Sequence, residues 1–309
     1  MFRKGWKILR SFALLFIIAI FLMHLMVTPA FSAAFSTWGD KGRISLDEIK
    51  QILKTTRDLS KKNLSGMDLS SLDFSSVNLW DSNLSRANLS KSNLSKANLK
   101  ETWLGNAKLT GANLSNADLT EARLSGADLR SANLNKANLK DAHLSSGIFF
   151  LGRSDIFFMM RFSNLSFSNL SEANLTDAVL NMANIYQTNF NKANLSGAKL
   201  KGANLREADL REANLSNAEL DYANLRRAKL NGANLKGANL NGVILVNADL
   251  SGADLTNVDL SGSRLNRAKL NGADLNGADV EGVDFTGADL TNVKNLDKVK
   301  NRDKAKGLK

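Results

Sequence analysis

Four acidic residues, Asp81, Glu101, Glu121 and Asp141, recur at intervals of twenty. Two positions beyond the last three of them stand Trp103, Arg123 and His143. Regularly spaced carboxylates are the donors that a hard cation takes. Clustered carboxylates with a cation or a basic neighbour are also what polysaccharide cleavage requires. Both chemistries depend on the fold drawing the four acids together. Stacked ~5 Å apart at a solvated surface, like charges repel by roughly 1 kcal/mol per pair. Lys100, Lys140 and Arg123 are near enough in sequence to relieve that. Two readings follow: a compensated surface, or a cation or ligand site made by Asp81, Glu101, Glu121 and Asp141 with Trp103, Arg123 and His143 as contact residues.

Elsewhere the sequence offers little chemistry. The histidines are His24 and His143 alone, without metal-binding spacing. The absence of cysteine removes disulfides, thiolate metal sites, cysteine nucleophiles and a lipid-anchored cysteine. No serine has a recognisable base, no glycine-rich phosphate loop occurs, and no cofactor is called for.

The elements that position these residues follow from a period of five. Leucine, or rarely Phe, Ile or Val, recurs every fifth residue at 17 centres from Leu64 to Leu144 and at 26 from Leu165 to Leu290. The residue two before each centre is mostly Ala, and the residue one before is Asn or Asp in 32 of the 43 units. On an α-helix a step of five turns by about 140°, so the leucines would spiral over every face. On a flat strand an odd step sends successive leucines to opposite faces. The chain must therefore turn once per repeat, and stacked coils bury Leu and Ala in one continuous core.

Repeats such as A-N-L-S-K, A-D-L-T-E and G-A-N-L-K, running over most of residues 59–293, resemble the pentapeptide-repeat family. The resemblance implies an all-β solenoid, a right-handed quadrilateral β-helix with two residues of each five pointing inward. Residues twenty apart would then lie one above the other, about 4.8 Å away. Glu172, Lys192 and Glu212 form such a column with alternating signs, and Glu207 falls over Arg227 and Lys201 over Asp221. Stacked Asn side chains are expected to hydrogen-bond along the axis. The 43 units make nearly 11 coils, a stack about 50 Å long at one strand spacing per coil.

The ends differ from the body. Residues 1–34 run from a basic start through an apolar stretch, 11–27, to small residues, the order of an export signal. Cleavage after Ser32 or Ala34 is one reading. An uncleaved membrane anchor is the other, although 17 apolar residues fall short of the roughly 20 that span a bilayer. Export places the protein in a periplasm or a thylakoid lumen. Residues 35–58 form an N-terminal cap with a short helix at 45–55, where Ser45 and Glu48 match a capping box. The first repeat segment spans 59–145 and the second 165–293. Between them, insert 146–164 carries Phe149, Phe150, Phe157 and Phe158, either packed on the core as an irregular coil or protruding to meet a partner or a membrane. A basic tail, 294–309, follows, with Leu296 and Val299 available to plug the last coil.

The net charge of +11 collapses when divided, because residues 1–34 carry +4, the stretch 291–309 carries +5, and the body is left nearly neutral. Nucleic-acid binding calls for basic charge gathered on one face, which this pattern lacks. A DNA mimic that inhibits a topoisomerase, an activity known in the resembled family, calls for a strongly acidic body instead. The expected function is a non-catalytic exported scaffold presenting a rigid surface to a protein partner. Attachment to a membrane surface through the insert and the basic tail is the alternative, and a carbohydrate-active enzyme a remote one. Open solenoid edges leave end-to-end self-association available.

Overall fold

The computed structural model describes residues 43–145, 147–150 and 158–308, with backbone only for 147–150 and 158–161. The expectations for residues 1–34 and for the start of the cap at 35–42 lie outside these residues, as does Phe157. The side chains of Phe149, Phe150 and Phe158 lie outside them too.

Each pentad is a short extended piece followed by a tight turn. In Ala112–Asn116 every backbone N–H has an acceptor. Ala112 donates to Leu109 O at 3.0 Å across the turn, and Asn113 donates back to Ser92 O at 2.9 Å. Leu114 and Asn116 donate onward to Asn133 O and Asn135 O. The fifth donor, Ser115 N–H, points at no backbone oxygen and is taken by the Asn113 side chain at 3.2 Å. Buried backbone donors must be paired, and a side-chain oxygen bonded two residues on is what Asn and Asp supply best. The Asn/Asp preference before each leucine is thereby explained.

The fifth residue of each unit takes positive φ, +57° at Glu101 and +59° at Lys192. A turn of this kind requires it, at roughly 1 kcal/mol or more for a side-chain-bearing residue. The inter-coil bond made by that residue's own N–H offsets the cost.

Parallel bridges join residues twenty apart, as in Asp58↔Asn78, Asn63↔Asn83, Asp68↔Asn88 and Asp73↔Asn93, so four pentads complete one turn. We number the four sides in that order. Leu and Ala fill the interior: every leucine centre from Leu59 to Leu275 is buried. The stack from Leu210 to Leu250 leaves no room for a water molecule.

At the insert the bridge interval widens from 20 to 36 residues, as in Asp128↔Asn164 and His143↔Val179. The excursion leaves after Ser145 and returns at Phe162 as an antiparallel hairpin, β1 (Gly147–Phe150) paired with β2 (Phe158–Arg161). Its described backbone is that of a hairpin. The coil closes beneath it: Leu129 N–H bonds Asn164 O at 2.8 Å. Ser163, buried in the usual Ala position, accepts from Gly126 N–H at 3.0 Å and lies 3.0 Å from Ser145 O.

Helix α1 (Leu46–Lys54) has the capping box in place, with Glu48 N–H to Ser45 Oγ at 3.2 Å and Ser45 N–H to Glu48 Oε2 at 2.6 Å. Its Ile49 is fully buried in the solenoid core, with Ile52 and Leu53 packed alongside. Arg57 ties the helix end down, donating to Leu53 O at 2.8 Å and to Ser75 O at 2.6 Å.

The basic tail is not a free extension. Lys294, Lys300 and Lys306 continue the bridges, opposite Asp274, Asp279 and Asp284. Each step is now six residues long, and the extra one is absorbed by Asn295 and Asn301 at positive φ followed by single 3-10 turns, Leu296–Lys298 and Arg302–Lys304. Leu296 and Val299 are half-buried members of this last coil. Lys304 and Lys306 are paired with Glu281 at 2.8 Å and Asp284 at 3.5 Å.

Leu195 and Asn194 separate the two stabilising devices. Truncating Leu195 to Ala is expected to cost about 2–5 kcal/mol through the cavity left behind. Asn194→Ala, which frees the Asn214 amide, the Thr176 hydroxyl and the Ser196 N–H, should cost about 1 kcal/mol per lost bond. Chemical denaturation followed by circular dichroism checks the order, and a midpoint unmoved by Leu195→Ala contradicts a dry leucine stack.

Candidate functional site

The four acids do share one corner, between the first and second sides, each at the positive-φ position. Their coils are joined by Asp81 N–H to Lys100 O, Glu101 N–H to Thr120 O and Glu121 N–H to Lys140 O. The column has a fifth member. Asp141 N–H bonds Thr176 O, which places Asp177 next in line. Asp177 lies over Gly197, where an added Cβ would meet its carboxylate. The twenty-residue step misses Asp177 because the hairpin intervenes.

Stacking does not bring the carboxylates to one point. Among the described residues no three His, Asp or Glu side chains are grouped closely enough to hold a metal ion. Glu101 accepts from Trp80 Nε1 at 3.3 Å, and Asp141 is paired with Lys140 at 3.7 Å. Lys100 turns away from the column to Asp118, at 3.3 Å. Burial, then the charge of Glu101, raises the Asp81 pKa above the ordinary aspartate value, with Lys61 and Arg123 opposing.

Trp103, Arg123 and His143 stand on the second side, in consecutive bridges with Asn83 and Val179 at either end. The Arg123 guanidinium covers the Trp103 ring at 4.0 Å, and Lys61 covers Trp80 at 4.5 Å. Such cation–π pairs are worth about 0.5–1 kcal/mol at exposed sites. His143 is exposed. Trp80, half-buried at the acidic corner, was not singled out by its spacing; its ring contact and its bond to Glu101 join it to the same patch.

The sides differ in their ladders. On the first side amide bonds climb from Asn98 to Asn78 at 2.9 Å, from Asn174 to Asn138 at 3.0 Å and from Asn234 to Asn214 at 3.1 Å. On the second side six successive coils replace Asn or Asp by Trp103, Arg123, His143, Val179, Lys199 and Glu219. There the N–H groups of Gly105, Ser125 and Ser145 have no Asn or Asp oxygen two residues before them. In one coil a substitute is found, as Lys201 N–H donates to Asn181 Oδ1 at 2.9 Å.

Of the ion pairs expected from the twenty-residue step, Lys192–Glu212 and Arg227–Glu207 form, each at 3.8 Å, while Glu172 is paired with Lys136 on the other side of the hairpin, at 3.5 Å. Lys201 instead lies over the Tyr222 ring, 5.9 Å from its centre. All are exposed pairs of small energetic weight.

Residues 73–145 and 160–292 match the family model described as pentapeptide repeats, in overlapping copies. Among solved structures the chain is similar to HetL, a pentapeptide repeat protein involved in heterocyst differentiation regulation from the cyanobacterium Nostoc sp. strain PCC 7120. The two are 31% identical over 81% of this chain and 94% of HetL, with a TM-score of 0.54. QnrB1, a plasmid-mediated fluoroquinolone resistance protein, is 19% identical over 67% of this chain and 91% of its own, with a TM-score of 0.36. A pentapeptide repeat protein of the Arabidopsis thaliana thylakoid lumen is 24% identical over 43% of this chain and 68% of its own, with a TM-score of 0.22. No curated protein matches the chain.

The ladder aspartates are held below the usual carboxylate range by the hydroxyl and N–H two residues on: Ser70 for Asp68 and Thr291 for Asp289. For Asp284 the Thr286 hydroxyl acts first, then Asn266 and the Thr286 N–H. A depressed folded pKa stabilises above the unfolded value, about 3.9, and that stability drains away as the pH falls through the folded one. The melting temperature should therefore fall as the pH drops below about 4. Replacing Asp68, Asp284 and Asp289 together by Asn keeps the acceptors without the charge and should flatten the drop; an unchanged pH profile would exclude the ladder carboxylates as its source.

Proposed function

The chain belongs to the pentapeptide-repeat family, and from that premise we propose that it is a non-catalytic interaction rod whose second side contacts a protein partner. One observation carries the reading. The Asn or Asp before each leucine satisfies a turn N–H, a bond worth about 1 kcal/mol. The second side forgoes it in six successive coils and places Trp103, Arg123 and His143 there, next to the acidic corner. Coil closure gains nothing from those residues. A contact surface does, since Trp and Arg are the side chains that most often anchor protein interfaces. Acids at the corner add the charge that selects a partner with a basic rim.

The basic, apolar and small-residue order of residues 1–34 supports export to a periplasm or thylakoid lumen. Among the described residues no helix is long and apolar enough to cross a membrane. The patch supports neither a cofactor nor a nucleic acid: the body is nearly neutral and acids border the contact side.

Affinity capture from the exported fraction, with the wild type beside a Trp103→Ala, Arg123→Glu, His143→Ala variant, tests the reading. A protein held by the wild type should fall at least tenfold in the variant and persist with Lys229→Gln on the fourth side. Equal capture by all three would reject the second side as the contact.

A further inference from the structure

Of the five large apolar side chains exposed among the described residues, three lie at one corner, between the second and third sides: Phe162 at 41% exposure, Met182 at 52% and Tyr222 at 62%. Phe162 takes the corner position of its coil, directly after the hairpin returns. Met182 N–H bonds Lys201 O and Tyr222 N–H bonds Asn241 O, which sets Gly202 above Met182 and Gly242 above Tyr222. The two glycines shape the stripe. A Cβ on Gly202 would sit 2.4 Å from Met182 Sδ, and one on Gly242 would sit 2.7 Å from the Tyr222 ring. Met182 and Tyr222 thus lie lengthwise along the corner, each over a residue with no side chain. The result is a low, straight apolar ridge. A fourth exposed apolar side chain, Phe167 at 55%, sits on the adjoining corner, edge-on to Tyr186 with centroids 5.5 Å apart.

The hairpin is rooted in this same corner. Beyond its root every paired position is apolar on both strands, with Ile148 opposite Met160, Phe149 opposite Met159 and Phe150 opposite Phe158. Successive residues of a strand belong to opposite faces, so this ribbon is apolar on both of its faces. A rod corner can cover one face of a ribbon at most.

We propose that this corner, with the roots of β1 and β2, is a lipid-facing edge laid on the headgroup region of a bilayer surface. Three features select lipid over a protein groove. A straight corner meets a plane along a line, and the exposed apolar residues form a line. A ribbon apolar on both faces needs apolar surroundings on both, which the interfacial layer supplies. Tyr222 and Tyr186 are of the residue type enriched at membrane–water interfaces. Lys199 and Lys201 are exposed beside the stripe, where they can meet anionic headgroups. Among the acids next to them, Asp221 already accepts from Asn239 at 2.9 Å. This edge adjoins the second side and shares Lys199 with it, but none of Trp103, Arg123 and His143 lies on it, and its failure would leave that patch untouched.

The chain contains no cysteine, so a single introduced cysteine carries an environment-sensitive NBD fluorophore without interference. The full chain is labelled at Met182→Cys, or at Lys192→Cys on the diagonally opposite corner, and mixed with phosphatidylcholine vesicles with and without phosphatidylglycerol. At position 182 the emission should shift to the blue and rise severalfold, more with the anionic lipid, while position 192 stays unchanged. Attachment through residues 11–27 alone has no reason to favour one corner and would leave the two positions alike. Adding Phe162→Ser and Tyr222→Ser should abolish the response at 182, with an unchanged circular dichroism melt showing that the fold is intact. No response at 182, an equal response at 192, or a response that survives the double serine substitution would each overturn the proposal.

Discussion

One unpaired donor per turn governs this molecule. A chain that turns every fifth residue pairs four of its five N–H groups with backbone oxygens, as Ala112–Asn116 shows, and strands the fifth. Leucine burial drives the coils together, but leucines alone would leave that donor unpaired at each turn. The residue before the leucine resolves it by folding its oxygen back, and the same side chain then donates to the coil next door. Asn does both, as Asn214 does toward Ser216 N–H and Asn194. Asp accepts only, so an ionised Asp contributes the turn bond and relies on a neighbouring Asn for the ladder bond, as Asp68 relies on Asn88. The repeat is therefore specified by hydrogen-bond satisfaction as much as by hydrophobicity.

That constraint divides the surface. A position that must carry Asn or Asp is not free to recognise anything, so the first side, with its nearly continuous ladder, is committed to holding the coils. Positions after the leucine and at the corners carry no such duty. On the second side, Trp103, Arg123 and His143 show the ladder position itself released. The released N–H groups face water or find other oxygens, and the local loss is spread over coils already held by their leucines. A solenoid tolerates this because each coil contacts only its neighbours and a weakness does not propagate far.

The period of five, the turn it forces and the inward leucines were legible before any coordinates, since no helix or strand can hide a residue at that spacing. The twenty-residue stacking was legible too, and it correctly ordered Asp81, Glu101, Glu121 and Asp141 at one corner. Its limit was register. Asp177 was invisible as a fifth member because counting by twenty from Asp141 lands inside the hairpin. The ion pairs were legible only where both partners were corner residues: Lys192 met Glu212, whereas Lys201 lies flat enough to prefer the Tyr222 ring. The way the tail closes was hidden for a related reason. Its leucine spacing lapses from five to six, and only the left-handed Asn295 and Asn301 show how a longer unit still closes a coil. The apolar corner obeys the same step, since Phe162, Met182 and Tyr222 fall at 162, 182 and 222 with Gly202 between the last two, but the spacing alone does not distinguish an exposed Phe162 from a residue belonging to the insert.

The hairpin's position is itself instructive. An insertion within the extended piece of a pentad would break bonds to the coils above and below, as well as a leucine. At the turn the chain already reverses direction outside the core, so an excursion there need only return to within bonding distance of where it left. Ser163 closes that gap: it fills the Ala site, and its hydroxyl reaches Ser145 O on the departing strand and Gly126 N–H on the preceding coil. Gly126 N–H and Ser145 O also bond each other, at 3.2 Å, so the Ser163 hydroxyl reinforces a closure the backbone already makes. The core thus stays continuous from Leu129 to Leu165, and sixteen residues' worth of extra chain costs the rod almost no regularity. A fold built this way can add an apolar ribbon to a corner without redesigning anything beneath it, which makes the corner, and not the core, the place where such a protein acquires a new contact.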